Sequence, residues 1–241
     1  MKNIILPAAM ACALYPSTAF AAANKVNTTA NVAMDSDVIR TFLILTLLAV
    51  VPAILISTTS FIRIVVVLSM TRHAFGMPET PPNSVLVSLA LFLTAFTMAP
   101  TLTALNIGTL KPLLAGTLSV EQAMTKASVP LRDFMLRQTR DSDIEAIYAI
   151  AKTPVPDKPE QVEILKLTPA FILNELRVSF TIGFVILLPF LLIDLVVSSI
   201  LLALGMMMVP PATISLPIKI LMFVLIDGWS LILHGVLGSF R

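Results

Sequence analysis

Histidines, carboxylates and amines are the side chains from which this sequence could build a reactive centre, and their spacing argues against one. His73 and His234 lie in different segments with no carboxylate at ligand spacing. The phosphate loop G-x-x-x-x-G-K-[ST], the metalloprotease H-E-x-x-H and the nucleophile elbow G-x-S-x-G are absent from the sequence. His73 sits among polar residues beside Arg72, which fits a partner contact or a solvated position better than catalysis. Neither enzyme activity nor a cofactor or metal is expected. What remains are four ionisable residues in otherwise apolar surroundings: Glu175, Asp194, Lys219 and Asp227. Charges there are costly and must face protein or water. They fit a proton path, an intersubunit ion-pair set, or structural partners within one protomer.

The elements that carry them run from Leu187 to Leu233. Two long apolar runs flank a charge-free turn from Gly205 to Pro211, and each nears the roughly 20 residues of helix that cross a bilayer. Gly205 can take the left-handed conformation that closes a helix, and Pro210 and Pro211 cannot continue one. Met206, Met207 and Met208 are thereby presented at a hairpin tip. Three unbranched thioethers make a soft surface that repacks around whatever touches it; the plainer alternative is apolar filler in a buried turn. Counted from Val209, Asp194 is 15 residues up one arm and Asp227 is 18 up the other. At about 1.5 Å per residue the two acids share a depth to within roughly 5 Å, and Lys219 lies about 7.5 Å from the level of Asp194. In a straight hairpin Lys219 reaches toward Asp194 and cannot meet Glu175.

Composition agrees with a membrane setting. The 241 residues are 57% hydrophobic and 12% charged, with mean hydropathy +0.94, against about 25% charged in ordinary soluble domains. A water-soluble monomer is excluded on these grounds. The net charge of +2, with no basic patch interleaved with aromatics, gives nucleic-acid binding no support.

The N-terminus reads as a secretory signal peptide over residues 1–21. Lys2 gives the charged start, Ile4 to Leu14 the apolar core, and Ala19-Phe20-Ala21 the A-x-A cleavage site. An uncleaved anchor helix is the competing reading. The single cysteine, Cys12, lies inside this segment, so the mature chain would have neither a disulfide nor a thiolate ligand.

Residues 22–37 are small and polar, a flexible arm. Thr41 to Phe61 is uncharged and of spanning length, with Pro52 near its middle, and the apolar Ile64 to Met70 predicts that this helix continues past Arg63. Val85 to Leu110 is a second uncharged run, broken by Pro100 and ended by Gly108 and Lys111-Pro112. The segment 111–177 holds nine basic and nine acidic residues. Ser119 with Gln122 and Ser142 with Glu145 fit capping boxes, Thr168 before Pro169 fits a helix start, and Pro154, Pro156 and Pro159 mark a linker. From Pro169 the pattern runs on to Leu204, about 54 Å if straight, and Pro189 should divide it. The expected fold is an all-α membrane protein of two long kinked helical hairpins, 38–110 and 169–241, with a small helical insertion at 111–168. A cleaved signal would place the mature N-terminus, the insertion and the C-terminus in the periplasm, with the short loop 62–84 inside.

The segment LPFLLIDLVVSSILLALGMMMVPP, followed by SLPIKILMFVLIDGWSLI, resembles the C-terminal hairpin of the FliP family, the P-subunits of the flagellar type III export gate. TRHAFGMPETPPNSVLVSLALFLT (71–94) and TPAFILNELR (168–177) support the resemblance, which covers nearly all of the mature chain. It implies a homo-oligomer that takes up Q- and R-type subunits, neighbours further export-apparatus membrane proteins, and passes unfolded flagellar export substrates. The expected location is the bacterial inner membrane and the flagellar basal body, in a tapered helical channel lifted largely out of the bilayer plane. It further implies pairing of Glu175 with Lys219 across subunits, which needs staggered or bent protomers. Two functions follow as expectations. In one, copies of the chain ring a protein-conducting pore closed by a gasket of Met206, Met207 and Met208. In the other, a proton-coupled solute carrier uses Asp194 and Asp227 as its relay, against which stand the lack of an internal repeat and only four candidate spans.

Overall fold

The computed structural model describes residues 36–77 and 79–240. The expected signal peptide with Ala19 and Ala21, and nearly all of the arm 22–37, lie outside them. Among the described residues every regular element is helical. The chain divides into two units at Pro52 and Ala53. The first contributes, among described residues, the N-terminal part of α1 (Ser36–Thr58), an apolar helix that contains Pro52.

The second unit opens with the end of α1 and a break at Thr59-Ser60, where an uninterrupted helix past Arg63 was expected. Hydroxyls explain the break. Ser57 and Thr58 donate to the carbonyl of Ile54, Thr59 donates to that of Leu55, and the Thr59 hydroxyl accepts from the Phe61 N–H. Side chains thus occupy carbonyls of the last turn and cap the next helix. That helix, α2 (Phe61–Ala74), carries Arg63, so the connection to the following element spans only residues 75–82 and not 62–84.

α3 (Asn83–Thr97) and α4 (Ala99–Leu105) meet at Met98, and Pro100 stands in the first turn of α4, where its missing N–H has no helical acceptor to serve. Gly108 and Lys111-Pro112 do not end this run. A π-helical turn, Asn106–Leu110, leads into α5 (Lys111–Leu114), and the chain stops at Gly116 with φ +71°. The axis of Asn83–Thr97 is bent 66° from that of Ala99–Leu114.

In the insertion, α6 (Val120–Gln138) starts with both bonds of the Ser119/Gln122 capping box. Ser142 does not cap: α7 (Asp141–Ile150) begins two residues earlier than such a cap requires, with Arg140 in the cap position and Ser142 in the first turn. After the proline-rich connection and a 3-10 turn at Pro159–Gln161, α8 runs unbroken from Ile164 to Ala203. Two expectations fail here. Thr168 is not a cap, since its hydroxyl donates to the Ile164 carbonyl inside the helix, and neither Pro169 nor Pro189 divides the element. Each proline removes one backbone bond while its fixed φ remains helical, and packing against α2 and α7 holds the rest together. At 40 residues α8 is about 60 Å long.

α9 (Ala212–Leu225) and α10 (Gly228–Leu237) follow α8, bent by 67° from each other and not one continuous run. Asp227 at the bend has φ +50°. Gly228 is required beside it: a Cβ there would lie 2.0 Å from the Phe223 ring. By length and composition the described residues hold one helix able to cross a membrane, Ile164–Ala203, or up to four spans if each bent pair counts as one.

Two apolar cores result. One joins α2 and α3 to the middle of α8 and to α9 and α10 through Ile64, Leu68, Leu86, Phe190, Phe223 and Val236. In it Phe75 meets Phe190 and Phe223 edge-on, with centroids 5.2 and 4.5 Å apart. α2 and α8 approach closely at Gly183, where a Cβ would lie 2.3 Å from the Met70 sulfur. The other core lies under the insertion, with Phe134, Met135, Tyr148, Leu167 and Phe171 around Met98.

Candidate functional site

The tip between α8 and α9 follows from its residues. Gly205 adopts φ +73° after the C-cap Leu204, its N–H bonded to the Leu202 carbonyl, and Pro211 precedes the first turn of α9. This geometry leaves Met206, Met207 and Met208 exposed to 44%, 81% and 97%. Among the described residues of the single chain, Met207 and Met208 are left largely uncovered and Met206 is partly covered. Leu202 and Leu204 beside them are also exposed. The chemistry offered is non-directional: polarizable, flexible side chains without charge or fixed shape.

Lys219, on α9 eight residues after Pro211, turns back to α8. Its Nζ donates to Asp194 Oδ2 at 2.6 Å and approaches the Ala74 carbonyl at 3.4 Å. The lysine side chain is 6% exposed and the aspartate 40%, so the amine is sealed while one face of the carboxylate stays open. Asp227 stands apart at the bend, exposed and without an ion-pair partner among the described residues. The structure therefore joins Lys219 to Asp194 and joins neither to Asp227.

Glu175 does not meet Lys219 within this chain. It is fully buried and bound by Arg63, itself 2% exposed. Arg63 Nε donates to Glu175 Oε2 at 2.8 Å and one Nη2 proton goes to Oε1. The other Nη2 proton goes to Gln138 Oε1 at 3.3 Å, and Nη1 serves the Ser239 carbonyl and hydroxyl at 2.9 and 3.0 Å. All five guanidinium donors are committed, and the plane stacks on Phe240 with Cζ 3.9 Å from the ring centroid. One residue thus binds α8, the end of α6 and the segment after α10. Sequence reasoning assigned Arg63 no partner, noting only that the helix continues past it. The signal was present: a lone cation in the apolar stretch Phe61–Met70 needs a buried partner.

A third ion pair, Arg177 Nη1 to Asp143 Oδ2 at 2.6 Å, ties α7 to α8. His73 is exposed, and its Nδ1 lies 2.7 Å from the Ser69 carbonyl one turn back. Among the described residues no three His, Cys, Asp or Glu side chains gather as a metal site.

This constellation of a thioether tip, a half-open Lys–Asp pair and a buried Arg–Glu junction coincides with sequence likeness to characterised proteins. Residues 44–236 match the FliP family. The flagellar biosynthetic protein FliP of Caulobacter vibrioides is 44% identical over 97% of this chain and 88% of its own length. Its counterpart in Pectobacterium carotovorum is 48% identical over 84% and 78%, and that of Bacillus subtilis 46% over 85% and 93%. The match takes in α2 to α10 with the tip and both charge pairs, and the chain belongs to the FliP family.

Proposed function

We propose that this chain is a core subunit of the flagellar type III protein export gate. Several copies, together with Q- and R-type subunits, surround a channel for unfolded export substrates in the inner membrane at the flagellar basal body. The observation that carries the reading is the tip: three consecutive methionines, one 97% exposed, just past the end of a 40-residue helix whose last nine residues, Leu195–Ala203, carry no charge. Brought together from several copies, such tips form a gasket. Many weak contacts between flexible thioethers close around chains of any sequence, whereas charged or rigid aromatic groups would select among them.

The membrane setting is supported by the outward apolar face of α8, where Leu188, Leu192, Leu195 and Ile200 are exposed in the single chain. The large exposed apolar surface on α3, including Phe92 and Phe96, suits contact with further subunits or lipid. The insertion 111–168 is assigned to the periplasm. The test is the triple substitution of Met206, Met207 and Met208 by Ala. Assembled complexes should form at the normal level while small solutes leak through the resting gate. Cells as tight as wild type would place the seal elsewhere.

A further inference from the structure

A polar cavity of about 430 Å³ lies where the end of α6, the start of α7, α8 and the segment after α10 meet. Its walls include Arg63, Arg137, Arg140, Asp141, Asn174 and Ser239. Arg63 is saturated by the bonds described above. Arg137 and Arg140 are different: both are exposed, and neither has an ion-pair partner among the described residues. With Glu175 neutralising Arg63, the rim carries two guanidinium groups against the single carboxylate of Asp141. Beside them the first amide groups of α7 have no helical acceptor. Deeper in the wall stands an unmet acceptor. Asn174 is 1% exposed; its Nδ2 donates to the Gln138 carbonyl at 2.5 Å, and its Oδ1 has no partner among the described residues. A ligand suited to this wall carries an anionic group and, next to it, a hydroxyl or ammonium donor.

A separate apolar groove of about 410 Å³ lies further along the same two segments. Val178 of α8 lines the polar cavity, and Thr181, Val185 and Pro189 line the groove. These positions succeed one another along one helix face, about 16 Å from first to last. The opposite wall has the same order: Ser239 borders the polar cavity, and Gly235, Ile232 and Leu231 border the groove. Two antiparallel helix faces therefore lead together from a cationic pocket into an apolar trough.

We propose that this is a glycerophospholipid site. The phosphate sits against Arg137 and Arg140, the headgroup hydroxyl or ammonium donates to Asn174 Oδ1, and an acyl chain lies along the α8–α10 groove. Arginine suits the phosphate because its planar fork donates two parallel bonds. The groove is what favours a lipid over a free phosphate ester, since a soluble headgroup leaves it unfilled.

The test is competitive retention on the full-length chain in mild detergent, read by native mass spectrometry. The probes are phosphatidylglycerol and phosphatidylcholine with identical acyl chains, and glycerol 3-phosphate. Phosphatidylcholine has the phosphate but no headgroup donor and no net charge. Phosphatidylglycerol should be retained several-fold over phosphatidylcholine. Arg137→Gln with Arg140→Gln, both at exposed positions, should weaken its retention at least roughly tenfold. Val185→Trp, which fills the groove from an exposed position, should displace the lipid and leave the affinity for glycerol 3-phosphate unchanged. Equal retention of the two lipids by the native chain, or undiminished retention by the arginine variant, would overturn the site. Displacement of bound lipid by equimolar glycerol 3-phosphate would overturn the acyl seat and assign the pocket to a soluble ester.

Discussion

The Arg63–Glu175 junction makes a quantitative prediction because its two ends are unequal. Replacing Arg63 with Met leaves Glu175 fully buried with no donor to either carboxylate oxygen among the described residues, for the neighbouring Ser179 hydroxyl donates to the Glu175 backbone carbonyl and not to its side chain. It also removes one donor each from Gln138 Oε1 and the Ser239 carbonyl. Removing one partner of a buried pair costs about 3–5 kcal/mol, and Arg63→Met should lie at the upper end. Glu175→Leu should cost less, since Arg63 keeps Ser239, Gln138 and the face of Phe240. The double variant removes both charges at once and should be less damaged than the sum of the singles by about 2–3 kcal/mol. In the folded-to-unfolded ratio the Arg63 change alone amounts to a loss between about a hundred-fold and a few thousand-fold. Trp229 is the only tryptophan of the chain and packs edge-on against Phe223 at 5.5 Å. Its fluorescence during reversible denaturant unfolding of the detergent-solubilised chain therefore reports the core that Arg63 stabilises. Additivity of the two single substitutions to within about 0.5 kcal/mol would refute the claim that the pair is a coupled, desolvated unit.

Gly183→Ala places a methyl on the Met70 sulfur and should lower stability by about 1–3 kcal/mol. Met70→Ala in the same chain should recover part of that loss in a thermal melt. Lys219→Asp should reduce the yield of assembled complex after detergent extraction, and adding Asp194→Lys should restore it; no recovery would mean that Lys219 acts through contacts other than Asp194. Ser119→Ala deletes one half of the capping box and should cost about 1 kcal/mol, visible as a lowered melting temperature with the tip and junction unaffected.

Much of this arrangement was legible in the residues, for identifiable reasons. Gly205 with Pro210 and Pro211 marks the tip because backbone restrictions are local and survive any context. The Ser119–Gln122 capping box is local in the same way. Prolines inside long apolar runs misled: Pro169 and Pro189 looked like boundaries, but a helix packed along its length tolerates a missing N–H, and α8 passes through both. At Thr59-Ser60 the opposite happened, since a hydroxyl cluster without proline ended α1 by competing for carbonyls. The bend at Asp227 depends on the Phe223 ring lying over Gly228, a contact that spacing alone does not reveal. Arg63 with Glu175 is separated by 112 positions, and no periodicity links residues that far apart; only the requirement that a buried cation find an anion pointed to such a partner.

α8 has a mechanical consequence. The helix is held near one end by Glu175 and Arg177 and gripped at Gly183 against Met70, while beyond Val197 and Leu201 it reaches the tip. Ala203 lies 20 residues past Gly183, an arm of about 30 Å. A tilt of only about 5° around that grip carries the methionines sideways by about 2.6 Å, close to half the 5.4 Å pitch of a helix turn. Any motion of the polar insertion passed to α8 through Asp143 and Gln138 would reach the tip along this arm, with α9 carried along through the Lys219–Asp194 pair.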